Sequence, residues 1–168
     1  MKQLIEKIEQ WAEDRNLIKG CTPLDQAMKL FSEFGELSDA VAKDDLEGIK
    51  DGIGDVFVVL TIMTAQIGAK IDCNIQEIVW HSSEKRLVVS ANQDIQEFTD
   101  CASNSQQMFN ESALDLSLGK LSYLSWLYDL TLEQCVEHAY NEIKDRKGIM
   151  YNGTFIKESD ARYKELTK

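Results

Sequence analysis

The stretch from Glu33 to Leu60, EFGELSDAVAKDDLEGIKDGIGDVFVVL, decides the fold. Its first part mixes acids and apolar residues at helical spacing, it pauses at Lys43-Asp44-Asp45, and it ends on an apolar run from Val56. A helix that is apolar almost all round belongs at the centre of a bundle. Two helices joined by a short turn run antiparallel, so residues equidistant from the turn face each other. Glu33 and Glu36 share a face at i,i+3, and Asp51 and Asp55 share one at i,i+4. About the turn, Glu36 falls opposite Asp51 and Glu33 opposite Asp55. Four converging carboxylates repel unless a cation or protons intervene. Oxygen-only donors suit Mg²⁺ or Mn²⁺, and the set lacks the thiolate and imidazole that zinc prefers. The alternative is ordinary solvated helix acids, with Asp55 paired to Lys29 or Lys50. Asp44, Asp45 and Glu47, at the turn, are of that solvated kind.

Working outward, apolar periodicity predicts a first helix over 3–18, with Leu4, Ile5, Ile8, Trp11 and Ala12 on one face. Thr22 is placed as N-cap and Pro23 as first residue of a helix over 23–43. Its apolar stripe is Leu24, Ala27, Met28, Phe31, Phe34 and Val41, with Asp25, Lys29, Glu33, Glu36 and Ala40 on the other side. A third helix runs from near Asp45 to about Gly68, and a fourth follows from about Asp72. Further helices are expected over 84–107, 113–129 and 131–147, the last capped by Gly148. Asn152-Gly153, between Ile149-Met150-Tyr151 and Thr154-Phe155-Ile156-Lys157, is a strong hairpin signal. The fold class expected is all-α: an antiparallel helical bundle in one domain over 1–168, closed by a small C-terminal β-hairpin.

An internal repeat is one reading of a further pattern, and chance likeness between amphipathic helices is the other. Glu33-Phe34-Gly35-Glu36 is echoed by Glu97-Phe98-Thr99-Asp100, and Asp51 by Asp115, with Asp55 replaced by Lys120. Residues 72–130 are then either an insertion or a degenerate second copy.

The chain has 168 residues and a formal net charge of −11. Such a surplus argues against nucleic acid and against anionic membrane as partners. Cys21, Cys73, Cys101 and Cys135 lie far apart with no CxxC, as expected of free thiols in a cytoplasmic protein. His81 and His138 form no ExxH pair, which counts against a ferritin-like di-iron bundle.

These blocks resemble the all-α nucleoside triphosphate pyrophosphohydrolases, the MazG-like proteins, and more narrowly their phage-encoded branch. The family motif is ExxE, a spacer, then ExxD. Glu33-Phe-Gly-Glu36 matches the first half, and Asp55 in Ile53-Gly54-Asp55-Val56 matches the final Asp. Gly52 stands where the second Glu belongs, with Asp51 as its substitute. A second match is Ala139-Tyr140-Asn141-Glu142-Ile143-Lys144-Asp145-Arg146-Lys147-Gly148. Together the matching blocks cover about residues 8–68 and 131–158.

The resemblance implies a Mg²⁺-dependent enzyme, with Mn²⁺ possible, that converts a (d)NTP to the (d)NMP and pyrophosphate. Glu33, Glu36, Asp51 and Asp55 would hold the ions, with Glu33, Glu36 and Asp55 catalytic and Glu33 the proton acceptor. Gln26, Lys29, Asn141, Lys144 and Arg146 would bind substrate. It implies a homo-oligomer, dimer or tetramer, unless the repeat makes one chain a pseudo-dimer, and a host-cytoplasmic location if phage-encoded. The alternatives are a non-catalytic helical interaction module on a decayed scaffold and a hydrolase of a guanosine alarmone.

Overall fold

A computed structural model describes residues 1–75, 79–104 and 111–167. Described are α1 (Lys2–Asp14), α2 (Pro23–Lys43), α3 (Leu46–Gln66), α4 (Glu84–Ser103), α5 (Glu111–Leu127) and α6 (Leu132–Ile143), then β1 (Gly148–Tyr151), β2 (Thr154–Lys157) and a one-turn α7 (Tyr163–Leu166). The all-α class is as expected, with the hairpin the only sheet among the described residues.

Local chemistry explains most boundaries. Thr22 and Asp25 form a reciprocal capping box at the start of α2, with Pro23 behind the cap. The end of α2 is fixed by Asp44 in the left-handed region (φ 56°), with the Asp45 N–H reaching back to the Ala40 carbonyl. That bond closes a Schellman-type cap, and Asp45 at once caps α3 by accepting from the Gly48 N–H. A second left-handed residue, Asn16, ends α1 at Asp14 rather than near 18, because the Leu17 N–H bonds back to the Ala12 carbonyl. The hairpin turns through Asn152 and Gly153, both at positive φ, and pairs Gly148 with Lys157.

α3 is the buried axis. Its residues from Val56 to Leu60 are all buried, and it packs on α1, α2, α5 and α6. α2 and α3 run antiparallel, since a Cβ at Gly52 would lie 2.9 Å from the Leu37 Cα and one at Gly48 would lie 3.0 Å from the Ala40 Cβ.

Several expectations are corrected. The buried stripe of α2 is Gln26, Ala27, Leu30, Glu33, Phe34, Leu37, Ala40 and Val41, whereas Leu24, Met28 and Phe31 are exposed. The helix is rotated so that Glu33 turns inward, while Asp25, Glu36 and Asp39 stay exposed. No helix starts at Asp72: residues 72–75 and 79–82 are non-helical, and 76–78 lie outside the described residues. α4 stops at Ser103, with 105–107 of the expected helix outside the described residues. α6 ends at Ile143, and Gly148 opens β1 instead of capping a helix. The Arg15 guanidinium takes the carbonyls of Lys144 (2.9 Å) and Arg146 (2.7 Å), which draws the chain out of the helix there.

The repeat leaves a trace in burial. Ala27 and Ala91, Phe34 and Phe98, Phe57 and Leu121, and Leu60 and Leu124 are buried pairs at one spacing. Glu97, Asp100 and Asp115 are exposed, however, and near the counterpart of Asp55 sits buried Lys120. Its ammonium pairs with Asp94 and lies 4.8 Å from the centre of the Trp80 ring.

Candidate functional site

Glycines let α3 lie close to two neighbours. At Gly52 an added Cβ would meet α2 backbone, and at Gly54 it would fall 2.3 Å from the Cys135 carbonyl oxygen and 2.7 Å from the Ala139 Cβ on α6. The Glu missing from the second acidic pair therefore has no room: the α2 main chain occupies its place. Asp51, one residue earlier and so about 100° round the helix, faces α6 instead.

A cavity of about 330 Å³ opens between α1, the start of α2, α3, the end of α6 and the hairpin. Trp11, Leu17, Val58, Val59, Ile62 and Phe155 form its apolar walls. Trp11 is held by its indole N–H, which donates to the Ile143 carbonyl at 2.8 Å, and its ring lies 6.3 Å from that of Phe155. The polar lining comprises Glu33 and Asp55, the cations Lys29, Arg146 and Lys157, and Gln26, Ser32, Asp25 and Thr154. The hairpin seats itself through Gly153, where a Cβ would strike the Asp25 carboxylate at 2.7–2.8 Å. A larger cavity of about 570 Å³ lies beside Tyr123 and Trp126. Its one charged side chain among the described residues, Glu133, is paired with the N-terminal amine, so it offers little chemistry.

Burial shifts the charged groups of the first cavity. Glu33 is only 4% exposed and pairs with Lys29. Burial, and next the charge of Asp51, push the Asp55 carboxyl up to about 6. Burial, then Glu142, also raise Asp51. Lys29 is lowered, chiefly by burial, although Asp55 and Glu36 pull it the other way. Arg146 acts on both Asp51 and Asp55.

Of the residues named from sequence, Gln26, Lys29, Glu33, Asp55 and Arg146 line one cavity. Glu36 is exposed and does not line the cavity, but is close enough to act electrostatically on Lys29 and Asp51. Asn141 and Lys144 are exposed and do not line the cavity; the Lys144 ammonium donates to the Asn141 side-chain oxygen at 2.9 Å.

Asp51 also stays out of the cavity. Its Oδ1 lies 3.6 Å from His138 Nε2, and that nitrogen lies 3.9 Å from Glu142 Oε1. The expectation that no imidazole stands near the acids is thus corrected. The signal was present in the sequence: His138 and Glu142 are four apart on α6, but only packing turns that face toward α3. Lys157 and Arg15 were likewise missed, since strand and loop cations carry no periodic signature.

Residues 22–87 match the MazG nucleotide pyrophosphohydrolase domain. An uncharacterized 18.2 kDa protein from the rep-hol intergenic region of Haemophilus phage HP1 (strain HP1c1) is 56% identical over 66 residues. The match covers 39% of this chain and 40% of that relative, so the chain spans well under half of the length of the curated protein it resembles. The phage relative supports the phage-type branch of the resemblance. No solved structure matches the chain significantly. No helix among the described residues is long and apolar enough to cross a membrane.

Proposed function

We propose, for a chain that is MazG-like over residues 22–87, that it hydrolyses a nucleoside triphosphate to the monophosphate and pyrophosphate with the help of a divalent cation. The observation that carries this is a single cavity whose lining combines an apolar wall with three carboxylates, Asp25, Glu33 and Asp55, and three cations, Lys29, Arg146 and Lys157. A base buries its faces against Trp11, Val58 and Phe155, and the triphosphate lies toward Lys29, Arg146 and Lys157, which complement its oxygens as charge-assisted donors. Asn141 and Lys144 would meet the outer phosphates only after their mutual hydrogen bond opens.

The acids fit a hard cation. Glu33 and Asp55 in the cavity, with Glu36 close by, offer oxygen donors, and burial, then the charge of Asp51, holds Asp55 above the usual carboxylate range. When bound, Mg²⁺ or Mn²⁺ would neutralise phosphate charge and acidify a water. A water deprotonated by Glu33 would add to the α-phosphorus as the bond from that phosphorus to the bridging oxygen breaks, and pyrophosphate would leave with the electron pair. Glu33 accepts the proton released by the water, and Lys29 beside it steadies the change of charge.

The test is pyrophosphate release across the common (d)NTPs and a guanosine tetraphosphate alarmone, with Mg²⁺, with Mn²⁺ and with chelator. At least one triphosphate should turn over only with cation, and Glu36→Gln should lower the rate roughly 100-fold or more with unchanged far-UV dichroism. Absence of turnover on every triphosphate, or full activity in Glu36→Gln, refutes the assignment; turnover of the alarmone alone moves it to that substrate.

A further inference from the structure

We propose that Asp51, His138 and Glu142 form a divalent-cation site of mixed nitrogen and oxygen donors across the α3–α6 contact. This site differs in chemistry from the all-oxygen set of the cavity.

The donor atoms of these three residues lie within 4.8 Å of one another. The separations of 3.6 Å (Asp51 to His138) and 3.9 Å (His138 to Glu142) exceed hydrogen-bond length. They match donors around one ion, which with bonds of about 2.1–2.3 Å sit roughly 3–4.5 Å apart. A second observation points the same way. Asp51 Oδ1 is shut off from solvent and has no hydrogen-bond partner. The group that this oxygen faces is His138 Nε2, at 3.6 Å, while the Asp51 side chain as a whole is 42% exposed.

The backbone explains why the donors converge here. The close packing at Gly54 against Cys135 and Ala139 locks α6 to α3. His138 lies one residue from Ala139, and Glu142 stands one turn further on. Since Gly52 leaves no room for an acid on the α2 side, the Asp51 carboxylate is presented to α6.

One imidazole with two carboxylates favours Mn²⁺, Co²⁺ or Zn²⁺ over Mg²⁺ and Ca²⁺, whose preference is for oxygen alone. The proposal goes beyond the nucleotide assignment and does not need it: failed turnover would leave this site standing, and a failed metal site would leave the cavity chemistry standing.

Mn²⁺ itself is the probe, bound to the full chain and observed by electron spin-echo modulation, which detects a directly coordinated ¹⁴N. The chain has two histidines, so the origin of the signal can be assigned. Wild type should show nitrogen coupling; His81→Gln should retain it, and His138→Gln should lose it. Glu142→Gln should keep the coupling but weaken Mn²⁺ binding at this site by roughly tenfold or more. Far-UV dichroism identifies any variant that fails to fold, and the wild-type spectrum is decisive even then. No nitrogen coupling in wild type, or coupling that survives His138→Gln, overturns the proposal.

Discussion

Asp55→Asn should stabilise the cation-free protein while removing its function. In the folded chain the Asp55 carboxyl titrates at about 6, against an ordinary value of 3.8. The gap is about two pK units, which at 1.36 kcal/mol per unit is up to about 3 kcal/mol. Screening of the partly accessible carboxylate reduces this to about 1–2 kcal/mol. The sign follows from proton binding. Between pH 4 and 6 the folded state keeps a proton that the unfolded state has released, so stability falls as pH rises through that window and is flat above it. Asn carries no charge and avoids the loss. In EDTA near pH 8 the variant should therefore melt roughly 2–8 °C higher than wild type, and the difference should vanish near pH 4. In excess Mg²⁺ or Mn²⁺ the order should shift back, because wild type gains binding free energy that the variant lacks. Thermal melts followed by dichroism at both pH values, with chelator and with cation, read all four arms. A variant that in EDTA is less stable than wild type near pH 8, or equally shifted at both pH values, refutes the buried-charge explanation.

Gly54→Ala should destabilise by about 1–3 kcal/mol because the new methyl meets the Cys135 carbonyl, whereas Gly35→Ala, with open space around it, should gain up to about 1 kcal/mol from helix propensity; chemical denaturation that gives both the same sign would contradict the packing argument. Lys120→Ala strands the Asp94 carboxylate, itself only 14% exposed, and should cost about 3–5 kcal/mol, most of it recovered by combining Lys120→Met with Asp94→Leu. A Lys120→Ala protein that unfolds at the wild-type urea midpoint would show that the buried carboxylate of Asp94 costs nothing when left unpaired.

The α2–α3 pair was legible in the sequence because its determinants are local. Thr22, Asp25 and Pro23 start one helix, Asp44 and Asp45 end it and start the next, and the run after Asp55 is too apolar to lie anywhere but inside. Asn152-Gly153 made the hairpin equally plain, since few residue pairs tolerate two positive φ angles in succession. Spacing alone placed Glu33 and Asp55 on facing helices, but not the turn of Asp51 toward α6.

The end of α6 was not legible, for its signal lies in Arg15, far away in sequence. Nor was the face of α2 that turns inward: Phe31 and Met28 are more apolar than Glu33, yet Glu33 is buried and they are not. Periodicity reports which residues share a stripe, but the rotation of that stripe is settled by what packs beside it. Gly52 and Gly54 supply that decision here, bringing α2 and α6 so near to α3 that one acid is directed to the cavity and its neighbour to His138. How closely two helices approach depends on both surfaces at once, and no single stretch of chain encodes it.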